Sequence, residues 1–200
     1  MAGYIGNYPT AVPLTGADIA DGIITSAKIA DGTILNVDLA TGVGGKVLQV
    51  VSTNKIDTFS SSSTSYTDVT GLSVSITPSS ASNKILVLVN FNASVTATDY
   101  WYAYQILRGA TAIHIGDTAS SRTVASVGTA LLTASGSSNV IDNFSINYLD
   151  SPSTTSATTY KLQGKVQSGQ SFVINRSDSD TDASYGLRTA SSITVMEIAG

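Results

Sequence analysis

The chain has 200 residues, 42% of them hydrophobic and only 12% charged, with ten Lys and Arg against fourteen Asp and Glu and a net charge of -4. Low hydrophobicity with high net charge marks a disordered chain, so this one is expected to fold; it also has no basic stripe with which to neutralise nucleic-acid phosphates. Cysteine is absent, which excludes disulfides, thiolate metal sites and a cysteine nucleophile, and no stretch approaches the ~18 apolar residues of a membrane span.

Residues 1–16 carry Tyr4, Ile5 and Tyr8 near the start, followed by Pro9 and Pro13. Proline so placed favours an extended, unpaired backbone. The segment is too small to fold alone but suits being laid along another protein. MAGYIGNYPT lacks the basic start and apolar centre of a signal peptide, which predicts synthesis in a cytoplasm.

Residues 17–46 fall into tens, ADIADGIITS, AKIADGTILN and VDLATGVGGK, an internal repeat. Ile19, Ile29 and Leu39 share one column, Ile24 and Ile34 another, and Asp21-Gly22, Asp31-Gly32 and Thr41-Gly42 a third. An apolar residue about every five positions fits neither a helix nor a plain strand. The Asp-Gly pairs tolerate positive φ and predict short extended pieces separated by turns. One strip alone would leave its isoleucines in water. Three strips around a common axis would bury Ile19, Ile24, Ile29, Ile34 and Leu39 and leave Asp18, Lys28 and Asp38 outside, which predicts a homotrimeric stalk over 17–45.

From residue 46 the texture changes to apolar alternation broken by Ser, Thr, Asn and Gly. Strands are expected in LSVSI (72–76), ILVLVNFNASV (85–95), YWYAYQIL (100–107), AIHIG after a turn at 108–111, FSINY (144–148) and YKLQGKV (160–166). SITVMEIAG closes the chain, and so apolar a strand would be an aggregation-prone edge if left free, so it is placed inside a sheet. About eight to ten short strands without a credible helix predict an all-β fold, a β-sandwich or jelly-roll-like head over 46–200.

Chemistry is thinly supplied. Glu197 is the only glutamate and lies in a predicted strand, while Asp18, Asp21, Asp31 and Asp38 belong to the repeat. Two carboxylates facing one substrate are therefore not expected. His114 is the only histidine; it is read as a packed or hydrogen-bonded strand residue, and no G-x-S-x-G elbow accompanies it. Asp178, Asp180 and Asp182 are spaced like the opening of a calcium loop but lack its glycine and closing glutamate, so a solvated loop is expected and cation binding stays open. Tyr100, Tyr102 and Tyr104 share one face of their strand and Trp101 the other. Such rings serve as ligand platforms, interface anchors or core, and all three remain open. No catalytic residue, metal or cofactor is assigned.

The decapeptides A-x-I-A-D-G-x-I resemble the stalk repeats of fibre and virion structural proteins of tailed bacteriophages. YIGNYP looks like their short anchoring segments, and KVLQVV (46–51), SNKILVLVNF (82–91) and SSITVMEIAG (191–200) are similar to their head domains. The resemblance implies a homotrimer, assembled in the host cytoplasm and attached to other virion proteins, on tail or capsid, through residues 1–16 with Tyr4, Ile5 and Tyr8. Host contact, with a surface glycan or protein, would then fall to the aromatics or to loops 60–65, 151–159 and 177–184. A capsid decoration or cement protein is the alternative, ahead of a polysaccharide-degrading fibre.

Overall fold

A computed structural model describes residues 24–30, 33–35, 38, 46–95, 101–130 and 139–200. The chain divides into two compact units, Met1–Gly45 and Lys46–Gly200.

In the first unit the described residues show backbone turns at five-residue intervals. A 3₁₀ turn, Ser26–Lys28, is closed by the Lys28 amide donating to the Thr25 carbonyl at 2.9 Å, and the Thr33 amide donates to the Ala30 carbonyl at 3.1 Å. Five residues further, the Asp38 amide donates to the Leu35 carbonyl at 2.9 Å, and the Asp38 carboxylate accepts from the Leu35 amide. An aspartate reaching back three residues stabilises such a turn as a cap does. Asp21-Gly22 and Asp31-Gly32, where turns are expected from sequence, lie outside the described residues.

The second unit is a two-sheet sandwich of eleven strands among the described residues. In chain order these are β1 (Val47–Lys55), β2 (Phe59–Ser61), β3 (Thr67–Ile76), β4 (Lys84–Val95), β5 (Trp101–Arg108), β6 (Thr111–Ile113), β7 (Val127–Ala130), β8 (Asp142–Asp150), β9 (Thr158–Val166), β10 (Phe172–Ile174) and β11 (Ser191–Ile198). Alternation drives them: in β9 every second residue is buried, with Tyr160, Leu162 and Val166 inward and Lys161, Gln163 and Lys165 outward, as a period of two dictates.

Pairing makes four columns in each sheet. In sheet A, β1 pairs with β11 and β2 with β10; β10 and β11 both pair with one side of β4, whose other side takes β8. In sheet B the order is β3, β9, β5, with β6 and β7 side by side on the far edge of β5. Every pairing is antiparallel. The chain alternates between sheets: β1 and β2 in A, β3 in B, β4 in A, β5 to β7 in B, β8 in A, β9 in B, β10 and β11 in A. That interleaving is the jelly roll. The C-terminal strand β11 is interior, between β1 and β4, where its apolar sequence requires it.

The core lies between the sheets. Val87, Val89, Phe91, Ile146, Ile193 and Val195 face Leu72, Val74, Tyr104, Ile106, Tyr160 and Leu162. Gly164 sits opposite Tyr104 across the β5–β9 pair, and a Cβ there would lie 2.7 Å from the Phe172 ring and 2.8 Å from that of Tyr104. Glycine is demanded by that close approach.

Two columns of sheet A are interrupted, between β1 and β2 and between β10 and β11. Asn175 closes both gaps. It is fully buried at φ 64°, a left-handed conformation that asparagine tolerates better than most residues. Its Nδ2 donates to the carbonyls of Lys55 (2.8 Å) and Asp57 (3.0 Å), and its Oδ1 accepts from the Ser191 hydroxyl at 2.5 Å. Its amide donates to the Asn92 carbonyl at 3.0 Å. One side chain thus satisfies buried backbone groups that the broken ladders leave over.

Candidate functional site

Of the predicted stalk positions, Ile24, Ile29 and Ile34 are exposed, Ile24 by 54% and Ile34 by 51%. Ile19 and Leu39 lie outside the described residues, as do Tyr4, Ile5 and Tyr8 of the expected anchor.

The aromatic run of β5 divides by parity. Tyr102 and Tyr104 point inward and are buried in the core. Tyr104 packs edge-on against Phe91 (centroids 4.7 Å apart) and Phe172 (5.4 Å), and Phe91 stacks on Phe144 at 5.2 Å. The Tyr102 hydroxyl donates to Asp142, and burial, then the Asp142 carboxylate, push its pKa far up. Trp101 faces outward and is half-buried, with the Lys165 ammonium 5.3 Å from its ring and 5.0 Å from that of Tyr66. Tyr100 lies outside the described residues.

His114 departs from the strand reading. β6 ends at Ile113, and His114 turns the chain with φ 51°, exposed and stacked on Tyr148 with centroids 4.9 Å apart. Three residues of β6 pair with β5, after which the chain must leave the sheet, and a left-handed residue does that.

The carboxylates have structural partners. Glu197, 1% exposed, accepts from the Asn83 amide group (2.6 Å), the Ser79 backbone amide (2.6 Å) and hydroxyl (2.8 Å), and the Gln49 amide group (2.6 Å). Burial alone would raise its pKa, but the bonds from Asn83, Gln49 and Ser79 outweigh it and hold the group at about 2. Asp150 accepts from the Arg108 guanidinium (2.8 and 3.0 Å) and the Tyr160 hydroxyl (2.6 Å). In the 177–184 loop, Asp180 pairs with Arg188 at 2.5 Å and lies 3.9 Å from Arg176. Asp178 is half-buried, and burial raises its pKa, while Asp182 is exposed. Among the described residues no three His, Cys, Asp or Glu side chains converge as metal ligands do.

The outer faces of the two sheets differ. On sheet B, Lys161 pairs with Asp68 at 2.8 Å, Gln163 donates to Asp68 and accepts from Gln105, and Ser75 bonds to Thr159. On sheet A, Val50, Met196, Leu86 and Leu149 stand side by side across all four columns. Val50 is 55% and Leu149 51% exposed. Ile198 flanks this row, with Val47 and Leu48 at a bulge in β1. Toward the other end the rows turn polar but stay uncharged, through Ser52, Thr194, Leu88 and Asn147 to Asn54, Ser192, Asn90 and Ser145. Sequence reading missed this face. Its signal was present in ILVLV (85–89), apolar at both parities, which is the mark of a strand covered on both sides.

An open cleft of about 680 Å³ lies beside the β5–β7 edge, lined by Trp101, Gly116, Asp117, Ser121, Arg122 and Thr129 among others. The Tyr66 hydroxyl donates to the carbonyl of Val124, another of its lining residues.

No protein-family model and no curated protein matches the chain. Among solved structures it is similar to a chain of the infectious bursal disease virus Gx strain, at 13% identity and TM-score 0.38, over 76% of this chain and 37% of that one. It is likewise similar to the VP2 subviral particle of infectious bursal disease virus, at 14% identity and TM-score 0.37, over 76% and 38%. The chain spans under two fifths of those chains. The jelly-roll assignment rests on the strand order and not on that likeness.

Proposed function

We propose that the chain is a non-enzymatic structural protein of a bacteriophage virion: a homotrimeric fibre attached to other virion proteins through residues 1–16, extended by 17–45 and ending in the jelly-roll head of 46–200. The decad carries this reading. Backbone turns close at Lys28, Thr33 and Asp38, at the same five-residue interval as the apolar positions of the repeat, and Ile24, Ile29 and Ile34 stay exposed within a single chain. Isoleucines repeated at fixed spacing and left bare favour association, and closed cyclic symmetry buries them without leaving an open end. The carboxylate inventory supports a structural role, since Glu197 and Asp150 are spent on strand-end hydrogen bonds.

Sedimentation equilibrium of the full chain tests the trimer, with three chain masses expected. Ile24→Asp with Ile34→Asp is expected to make the 17–45 segment protease-sensitive, because charges on a buried axis carry a desolvation cost of several kcal/mol each. A resistant, unchanged segment would count against axial packing. Removing residues 1–16 is expected to leave a folded trimer absent from particles; particles that still carry it would remove the anchor. Host contact by the head is tested by binding purified trimer to host cells, and no binding would favour a capsid decoration role.

A further inference from the structure

We propose that the apolar end of sheet A's outer face, centred on Val50, Met196, Leu86 and Leu149, is where the heads of three copies meet around a common axis. This rests on the trimeric reading above and adds the face through which it is made.

Polarity is inverted there. Along β11, Glu197 points inward while Met196 and Ile198 point out; along β8, Asp150 points inward and Leu149 out; along β1, Gln49 reaches Glu197 while Val50 is exposed. A strand meant for water on that side would be built the other way round. The interior accommodates the misplaced carboxylate with a complete set of donors from Asn83, Ser79 and Gln49. Four apolar side chains in register across four columns form a continuous patch, which single scattered hydrophobes do not.

The occupant is a second copy of the same face. Lys84 is the one charged side chain on the outer face of sheet A among the described residues, and its ammonium is engaged by the Ser151 hydroxyl at 2.7 Å. Identical faces carry identical charges, so only a nearly uncharged face can turn inward on a symmetry axis without strong repulsion, whereas a charged partner would find a single ammonium, Lys84, to pair with.

The chain lacks cysteine, so single-cysteine variants of the full chain report on cover. Val50→Cys and Leu149→Cys are compared with Ser75→Cys, exposed on sheet B, by maleimide reaction at a concentration where sedimentation gives the mass. In a trimer, at least one sheet A cysteine is expected to react more than about tenfold slower than Cys at 75, since thiol chemistry requires access. A trimer in which both react as fast as the sheet B control overturns the face assignment and leaves the trimeric reading standing. A dimer overturns the three-fold arrangement. A monomer overturns both, and protection persisting in that monomer would identify residues 1–45 of the same chain as the cover.

Discussion

The two outer faces of the sandwich are made by the same alternating code and come out opposite in kind. Sheet B presents Lys161, Gln163, Gln105 and Asp68, each partnered by a neighbour on its own sheet. Sheet A presents Val50, Met196, Leu86 and Leu149 in one outward-facing apolar row, flanked by Ile198, Val47 and Leu48. Sheet B's surface is complete within one chain; sheet A's asks for a second layer. Alternation fixes which residues share a face, but the contrast between the faces tells which one meets water.

The largest effect should come from charging the two faces in parallel. Leu86→Asp with Met196→Asp is expected to turn a trimer into monomers, because each buried carboxylate would bear several kcal/mol of desolvation without a counter-ion. Ser75→Asp with Gln105→Asp on sheet B should leave the mass unchanged. Light scattering of both pairs at matched concentration decides, and equal behaviour would erase the contrast.

Acid should act next, through the group that holds the inversion in place. The folded-state pKa of Glu197, about 2, lies below its ordinary value of 4.5, so its contribution is fully present above pH 4.5 and is lost as pH falls from there toward 2. Glu197→Gln should lower stability by roughly 1–3 kcal/mol at neutral pH, as expected for a buried hydrogen-bonded acceptor whose partners lose the charge. It should also flatten the acid limb of the denaturation curve. An unchanged acid limb would mean that other groups set it.

Gly164→Ala separates the interior from the faces. The added methyl must displace the Phe172 or Tyr104 ring, and overpacking of this kind costs about 1–3 kcal/mol. Neither outer face is touched. Thermal unfolding should therefore shift downward while the mass below the transition stays that of wild type; a change of mass would show that the core and the sheet A face are coupled.

Much of this fold was legible because its signals are local. The parity of YKLQGKV places Tyr160, Leu162 and Val166 together, and the apolar SITVMEI belongs inside a sheet. β10 escaped because three residues, Phe172–Ile174, show no period, and Asn175 escaped because its partners, Lys55, Asp57, Asn92 and Ser191, are distant in sequence. His114 escaped because IHIG alternates on paper while the backbone reverses at the histidine. The sheet A face was half legible. Ile193, Val195 and Glu197 share a parity, so Met196 had to point the other way, but where both parities are apolar nothing local says which side is the core.

The smallest effect expected belongs to sheet B, and its smallness is the content of the prediction. Lys161 and Asp68 form a 2.8 Å ion pair, yet their side chains are 26% and 53% exposed. Water and salt therefore screen the attraction, and ordering two mobile side chains offsets part of what remains; exposed pairs of this kind contribute about 0–1 kcal/mol. The Asp68 pKa is lowered by the bonds from Lys161 and then Gln163, so Lys161→Gln should let that pKa rise toward its ordinary value while the midpoint of urea unfolding barely moves. The difference between wild type and variant should shrink further as salt is raised past the point where the screening length falls below ~10 Å. Because the pair is closed within one chain, its loss should leave the assembly mass and the thiol protection at positions 50 and 149 unaltered. A Lys161→Gln variant that dissociated would place the contact between copies on sheet B instead.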